Sequence, residues 1–275
     1  MGKISDAIER HQKETAAPQP VPPPEPPPER PPKPHRAPRK KRDDPGIRAG
    51  GFNPKLVVAA APGSMDAEQF KVLRRQIIFS KREPKPRIIM VTSALPGEGK
   101  TYVAANLAAS IAQSIDHYVL LMDADMRQPT LHTMLGMPNR EGLREYLTEH
   151  RPLPELLNHT RIDRLTFISA GSLPPNPSEL MSSNVMKDCL QELKERYQDR
   201  YIVIDTTPTQ LTSEASALVN YVDGIVLVVM AQKTPREAAQ KCVEQMDRDK
   251  VLGVVFNGYA TEESTTMKYH GKYFR

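Results

Sequence analysis

The segment Ala94-Leu95-Pro96-Gly97-Glu98-Gly99-Lys100-Thr101 gathers two glycines, a lysine and a hydroxyl within a few residues. Gly97 and Gly99 can adopt backbone angles that turn several N–H groups inward onto phosphate oxygens. Lys100 reaches β- and γ-phosphates, and Thr101, followed by Tyr102, offers a hydroxyl to Mg²⁺ at a helix N-terminus that already favours anions. The pattern departs from Gly-x-x-x-x-Gly-Lys-Thr only at Ala94, a position that asks for a small residue more than for glycine. Two acidic motifs accompany it, Leu120-Leu121-Met122-Asp123-Ala124-Asp125-Met126-Arg127 and Ile202-Val203-Ile204-Asp205-Thr206-Thr207-Pro208. Three carboxylates at strand ends suit Mg²⁺, which takes a few protein oxygens and completes its shell with water and phosphate. The chemistry implied is that of a nucleoside triphosphate with its metal.

These residues must be held by strands and helices in the right order. Arg87–Thr92 reads as a buried strand and 101–114 as an alanine-rich helix, with the glycine-rich segment between them. Further strands are expected at 118–122, 165–168, 201–204, 224–229 and 251–256, and helices at 184–197 and 235–248, with a helical period from Met65 through Phe70, Leu73 and Ile77. Continuous Val/Ile/Leu runs suit strands covered on both faces. Strand–helix alternation over some 200 residues predicts an α/β fold, a doubly wound and mostly parallel sheet. In such a sheet ligands bind at the carboxyl ends of the strands, where both acidic motifs lie.

Composition separates this domain from its flanks. Of 27 prolines, thirteen fall between Pro18 and Pro45. The net charge is +5, yet Arg30–Arg48 alone carries eight basic and two acidic residues. The rest of the chain is therefore close to −1, and the basic excess belongs to a proline-rich linker. Such a linker stays extended, Pro18 to Pro45 alone reaching roughly 85 Å at ~3.1 Å per residue, and can adhere to anionic lipid or an acidic partner. No helix-turn-helix, zinc or RNA-binding pattern accompanies it, so a specific nucleic-acid partner is not expected. Cys189 and Cys242 fit neither a disulfide framework nor a zinc spacing. No apolar run approaches the ~18 residues of a membrane span, and the opening residues lack a signal-peptide core, which predicts a cytoplasmic protein. The expected organisation is a short amphipathic helix at 1–14, a linker at 15–50, the P-loop domain at 51–258 and a flexible tail at 259–275. That tail holds three of the nine tyrosines, Tyr259, Tyr269 and Tyr273.

The loop Pro96–Thr101, followed by Asp123/Asp125/Arg127 and then Asp205-Thr206-Thr207-Pro208, resembles the Walker A, A′ and B motifs of the bacterial tyrosine kinases. Glu141-Gly142-Leu143 and Pro174-Pro175-Asn176-Pro177-Ser178-Glu179-Leu180 support the resemblance, which covers about residues 65–260. It implies an ATP- and Mg²⁺-dependent tyrosine autokinase tied to exopolysaccharide or capsule production and export. Pro96, Gly97, Glu98, Gly99, Lys100, Thr101 and Tyr102 would then form the nucleotide site, with Thr101, Asp123, Asp125 and Asp205 around the metal. One of the A′ carboxylates would activate the tyrosine hydroxyl, and Arg127 would contact phosphate or lock the A′ loop. Tyr269 and Tyr273, with Tyr259, would be phosphate acceptors. Glu68-x-x-Lys71-x-x-Arg74 is similar to the family's Glu-x-x-Arg-x-x-Arg oligomer contact, with Lys71 unable to make the bidentate fork of an arginine. The partners implied are a membrane-anchored polysaccharide co-polymerase (chain-length regulator) as activator, further copies in a ring, and a cognate phosphotyrosine phosphatase. The activator would recruit the chain to the inner face of the plasma membrane. Two alternatives stay open: a partitioning-type P-loop ATPase, whose additional lysine near the loop start is absent at Ala94–Pro96, and a nucleotide-switched scaffold without kinase activity.

Overall fold

Alternation of long apolar runs with amphipathic segments produces a single, mostly parallel sheet with helices on both faces. The structure, a computed structural model, describes residues 52–209 and 213–259. In chain order the elements are α1 (Val57–Ala60), α2 (Met65–Ile78), β1 (Ile88–Ser93), α3 (Lys100–Ala112), β2 (Tyr118–Asp123), α4 (Leu131–Leu135), α5 (Leu143–Glu149) and α6 (Leu153–Leu156). They continue with β3 (Asn158–His159), β4 (Leu165–Ile168), α7 (Pro177–Met181), α8 (Asn184–Arg196), β5 (Arg200–Asp205), α9 (Ser213–Val219), β6 (Gly224–Met230), α10 (Arg236–Glu244) and β7 (Val251–Asn257). The order across the sheet is β3-β4-β2-β5-β1-β6-β7, and all pairs are parallel except β3 with β4.

Successive side chains on a strand point to opposite faces. Ile88 and Met90 of β1 therefore join Leu120, Met122, Ile202, Ile204 and Ile225 under α8, whose Met186, Cys189, Leu190 and Leu193 are buried. Ile89 and Val91 join Val119, Leu121, Val203 and Val226 under α2 and α3 on the other face. Helix α3 lies close to the sheet because the residues it buries include Ala104, Ala105, Ala108, Ala109 and Ala112. Helix α2 starts where Ser64 accepts a hydrogen bond from the Ala67 N–H, and it buries Phe70 and Ile77 as its period predicts.

The expected strands and long helices are present, several ends as expected and the others displaced by up to four residues. Helix α10 stops at Glu244, and a 3₁₀ turn at Arg248–Lys250 leads into β7. Strand β3 and the helices of four to seven residues between β2 and α8 had no sequence expectation. Pieces so short show no full hydrophobic period. Among the described residues no helix is long and apolar enough to cross a membrane. The proposed helix at 1–14, the linker, Tyr269 and Tyr273 lie outside the described residues.

The strand order creates the crevice. From β1 the chain passes through α3 and over β5 to reach β2. From β5 it passes through α9 and over β1 to reach β6. Adjacent strands whose connections leave in opposite directions open a gap at their carboxyl ends. Ser93 ends β1 there and Asp205 ends β5.

Candidate active site

The loop after β1 turns on two glycines in the left-handed region, Gly97 at φ +78° and Gly99 at φ +89°. Gly99 caps α3, and the first α3 amide to find a backbone carbonyl is Val103, bonded to Gly99 O at 2.9 Å. The N–H groups of Lys100, Thr101 and Tyr102 thus have no helical partner, as at the start of any helix, and form an anion cradle. Gly99 is demanded twice over, because a Cβ there would lie 2.0 Å from Asn257 Nδ2.

Two predicted nucleotide residues turn their side chains elsewhere. Glu98 is buried, and its carboxylate accepts hydrogen bonds from the Leu95 N–H at 2.7 Å and from the Thr234 hydroxyl. It shapes the loop and leaves only its main chain for phosphate. The Tyr102 ring packs edge-on against Phe70 at 5.5 Å, and burial pushes its hydroxyl up to about 12. Asn257 at the end of β7 donates to Glu98 O at 2.8 Å. Thr234 and Asn257, which brace the loop, carried no sequence signal.

Parallel register sets Asp123 of β2 directly beside Asp205 of β5, and both are fully buried. Burial is the main force raising both carboxyls; Asp205 reaches about 7 against the pull of Lys100, and Asp123 rises with its neighbour's charge as the second cause. Asp123 Oδ1 accepts from the Asp125 N–H at 3.2 Å, and Oδ2 from the Leu131 N–H at 3.1 Å, which folds residues 124–130 into a tight loop. Neither oxygen of Asp205 meets a donor in good geometry, although the Thr101 hydroxyl lies near enough to favour the ionised form. Asp125 Oδ1 accepts from the Gln128 N–H, and Oδ2 sits 2.8 Å from Lys100 Nζ. Burial works to lower the Lys100 pKa, but the carboxylates of Asp205, Asp125 and Asp123 together raise it. Lys100 is the cation that makes three clustered acids tolerable.

Lys100, Thr101, Asp123, Asp125 and Asp205 are therefore brought together at one strand-end crevice. No group of three or more His, Cys, Asp and Glu side chains forms a ready-made metal cage among the described residues. The set fits Mg²⁺ held jointly with phosphate and water, since Asp205 has two uncommitted oxygens facing the Thr101 hydroxyl. Arg127 does not point to the cradle. Its Nε donates to Glu214 at 2.8 Å and an NH2 to Ser178 Oγ at 3.1 Å, so within the chain it locks the A′ loop. In α2, Glu68 pairs with Lys71, and Arg74 donates to Ser110 O at 2.8 Å. Tyr259, two residues past β7, is exposed.

The family model described as "ParA: NUBPL iron-transfer P-loop NTPase" matches residues 85–271. Tyrosine-protein kinase YwqD of Bacillus subtilis (strain 168) is 34% identical over 226 residues, spanning 82% of this chain and 94% of its own. The chain belongs to the bacterial tyrosine kinases. The kinase is also 32% identical to tyrosine-protein kinase etk of Escherichia coli (strain K12) over 212 residues, 76% of this chain but 28% of that one. Among solved structures it is similar to the chimerical protein CapA2B2 at a TM-score of 0.70 and 31% identity, covering 77% of this chain and 92% of the other. The septum site-determining protein MinD of Pyrococcus horikoshii OT3, at a TM-score of 0.52 and 21% identity over 64% of this chain and 72% of that one, shares the fold alone. The kinase thus matches nearly the whole of a compact relative and the corresponding part of a longer one.

Proposed function

We propose that this chain phosphorylates tyrosines of its own kind, using Mg-ATP, in the control of exopolysaccharide or capsule production. The observation that carries the site assignment is the Asp125 carboxylate resting on Lys100 at 2.8 Å, beside Asp205. ATP phosphates would be held by the main-chain N–H groups of Gly97–Tyr102 and by Lys100. Mg²⁺, held by Thr101 and Asp205 with water, would neutralise the phosphate charge. Lys100 has one ammonium to share, so as it turns to phosphate it releases Asp125. The freed carboxylate accepts the proton of an incoming tyrosine hydroxyl, and the phenolate oxygen forms a bond to the γ-phosphorus as the bond to ADP breaks. Phosphoryl transfer asks chiefly for such positioning and charge neutralisation. Asp123, both of whose oxygens hold backbone N–H groups, fixes the loop that presents Asp125.

Tyr269 and Tyr273, with Tyr259, are the proposed acceptors, delivered to the crevice of a neighbouring copy. Phosphates of −1.5 to −2 charges each then repel neighbouring copies and loosen the assembly. A ring built with the Glu68–Arg74 helix face, a membrane-anchored co-polymerase as activator and a phosphotyrosine phosphatase complete the proposal. The capsule setting draws on relatives such as the putative tyrosine-protein kinase CapB of Staphylococcus aureus, 32% identical over 78% of this chain. The test is incubation of the purified protein with ATP and Mg²⁺ and detection of phosphotyrosine, beside Lys100→Met. The parent should label and the variant should not. A labelled Lys100→Met protein, or an unlabelled parent, would overturn the reading.

A further inference from the structure

We propose that Glu214 is a positioning residue for this phosphoryl transfer, acting through Arg127 to hold the loop that carries Asp125; the proposal rests on the kinase reading above. Glu214 lies in the first turn of α9 and is only 2% exposed. Its Oε1 accepts from Arg127 Nε at 2.8 Å and from Ser178 Oγ at 3.1 Å, while Oε2 has no hydrogen-bond partner. Arg127 also donates to Ser178 Oγ. Three side chains from three separate connections therefore meet: the loop after β2, the α7 turn and the segment after β5.

An exposed ion pair would deserve little weight. In this pair the guanidinium stays half in water, but the Glu214 carboxylate is buried with one oxygen unbonded, a stability cost the fold alone does not require. Its place suggests what that is. The 124–130 loop has an inner anchor, the Asp123 carboxylate bonded to the Asp125 and Leu131 amides. Asp125 itself is steadied by Lys100, but that tie must break when Lys100 takes up phosphate. Arg127, two residues from Asp125, is the outer anchor that persists through the exchange. Because Glu214 follows Asp205 on the same connection, the pair also ties the position of the proton acceptor to the strand that presents the metal-facing carboxylate.

The test is a double-mutant cycle on the full chain, with Glu214→Gln, Arg127→Gln and the pair together. The readouts are tyrosine phosphorylation at saturating Mg-ATP, binding of a fluorescent ATP analogue and melting temperature. Glu214→Gln keeps shape and loses the charge; misplacing a reacting group by an ångström or so costs up to about a hundredfold. The expected result is a kcat lower by roughly tenfold to a hundredfold, with nucleotide affinity within about twofold of the parent. Arg127→Gln should match it, and the double variant should lose no more than either single change. Arg127→Lys, which keeps one contact, should lie between parent and Arg127→Gln. An unchanged kcat in Glu214→Gln, losses that multiply in the double variant, or affinity and melting temperature falling in step with kcat would each overturn the proposal. A parent that makes no phosphotyrosine overturns the kinase reading along with it. An active parent with an unaffected Glu214→Gln overturns this proposal alone.

Discussion

Replacing Asp205 by Asn should abolish phosphorylation and yet stabilise the metal-free protein. The Asp205 carboxyl is wholly buried, both oxygens lack a well-placed donor, and Asp123 stands beside it in register. Burial moves its pKa from 3.8 to about 7, with Lys100 pulling the other way. A carboxyl raised in the folded state binds more protons folded than unfolded, so stability is greatest at low pH and falls as pH rises through the window from about 4 to about 7. The gap of about three pH units, at 1.36 kcal/mol each, bounds the loss at roughly 4 kcal/mol by pH 8. Relaxation around the site trims this, so a gain of about 2 kcal/mol, or about 5 °C in Tm, is expected for Asp205→Asn at pH 8. The gain should vanish near pH 4–5, where the parent is itself protonated. Thermal unfolding in EDTA at the two pH values, beside a phosphotyrosine assay, reads all of this. A variant less stable than the parent at pH 8, or equally shifted at both pH values, would refute the reasoning that Asp205 is a charge held at a cost.

Three other outcomes are expected. Lys100→Met should be less stable than the parent at pH 8 in EDTA by about 3 kcal/mol, because it strands three buried carboxylates, and much of that loss should be recovered at pH 5; differential scanning calorimetry checks it. Gly99→Ala should weaken binding of a fluorescent ATP analogue at least tenfold, since it meets Asn257 Nδ2 and takes a left-handed backbone that costs about 1–2 kcal/mol. After incubation with Mg-ATP, mass spectrometry should find phosphate on Tyr269 or Tyr273; phosphate confined to residues before Tyr259 would end the tail proposal while leaving the kinase intact.

What was legible in the sequence is what lies close together in it. The P-loop is eight consecutive residues, and each acidic motif is a strand end, so type, spacing and flanking apolar runs could be read without tertiary information. The doubly wound sheet followed from the same runs. The braces of the site come from far along the chain: Thr234 and Asn257 reach Glu98 across 136 and 159 positions, and Glu214 reaches Arg127 across 87. Threonine, asparagine and glutamate at such places look like any polar residue, and only the sheet order brings them in. Glu98 shows the converse. Within a phosphate loop it reads as a ligand-site residue, whereas a carboxylate facing phosphate would be repelled, and the fold turns it inward onto Leu95 and Thr234. Tyr102, also placed in the nucleotide site by its position, turns its ring onto Phe70, and Arg127, read as a phosphate contact or a loop lock, faces Glu214 and Ser178. Motif membership places a residue near a site, and its side-chain partners decide which way it faces.

The register between β2 and β5 gives the site its working tension. Parallel pairing of six residues, Tyr118 with Arg200 through Asp123 with Asp205, leaves the two strands no freedom to separate their terminal carboxylates. A one-residue slip would relieve the repulsion, but it would also turn every apolar side chain of that strand to the other face, so the two cores forbid it. The like charges are thus imposed by the same packing that stabilises the fold, and Lys100 is the counter-charge the P-loop supplies. In the proposed reaction a cation so placed would serve both the carboxylates and the phosphates, and its transfer from one to the other would set Asp125 free when its base is needed. On the proposed mechanism, the site that makes the chain less stable than its sheet would allow is also the one that would couple nucleotide binding to proton acceptance.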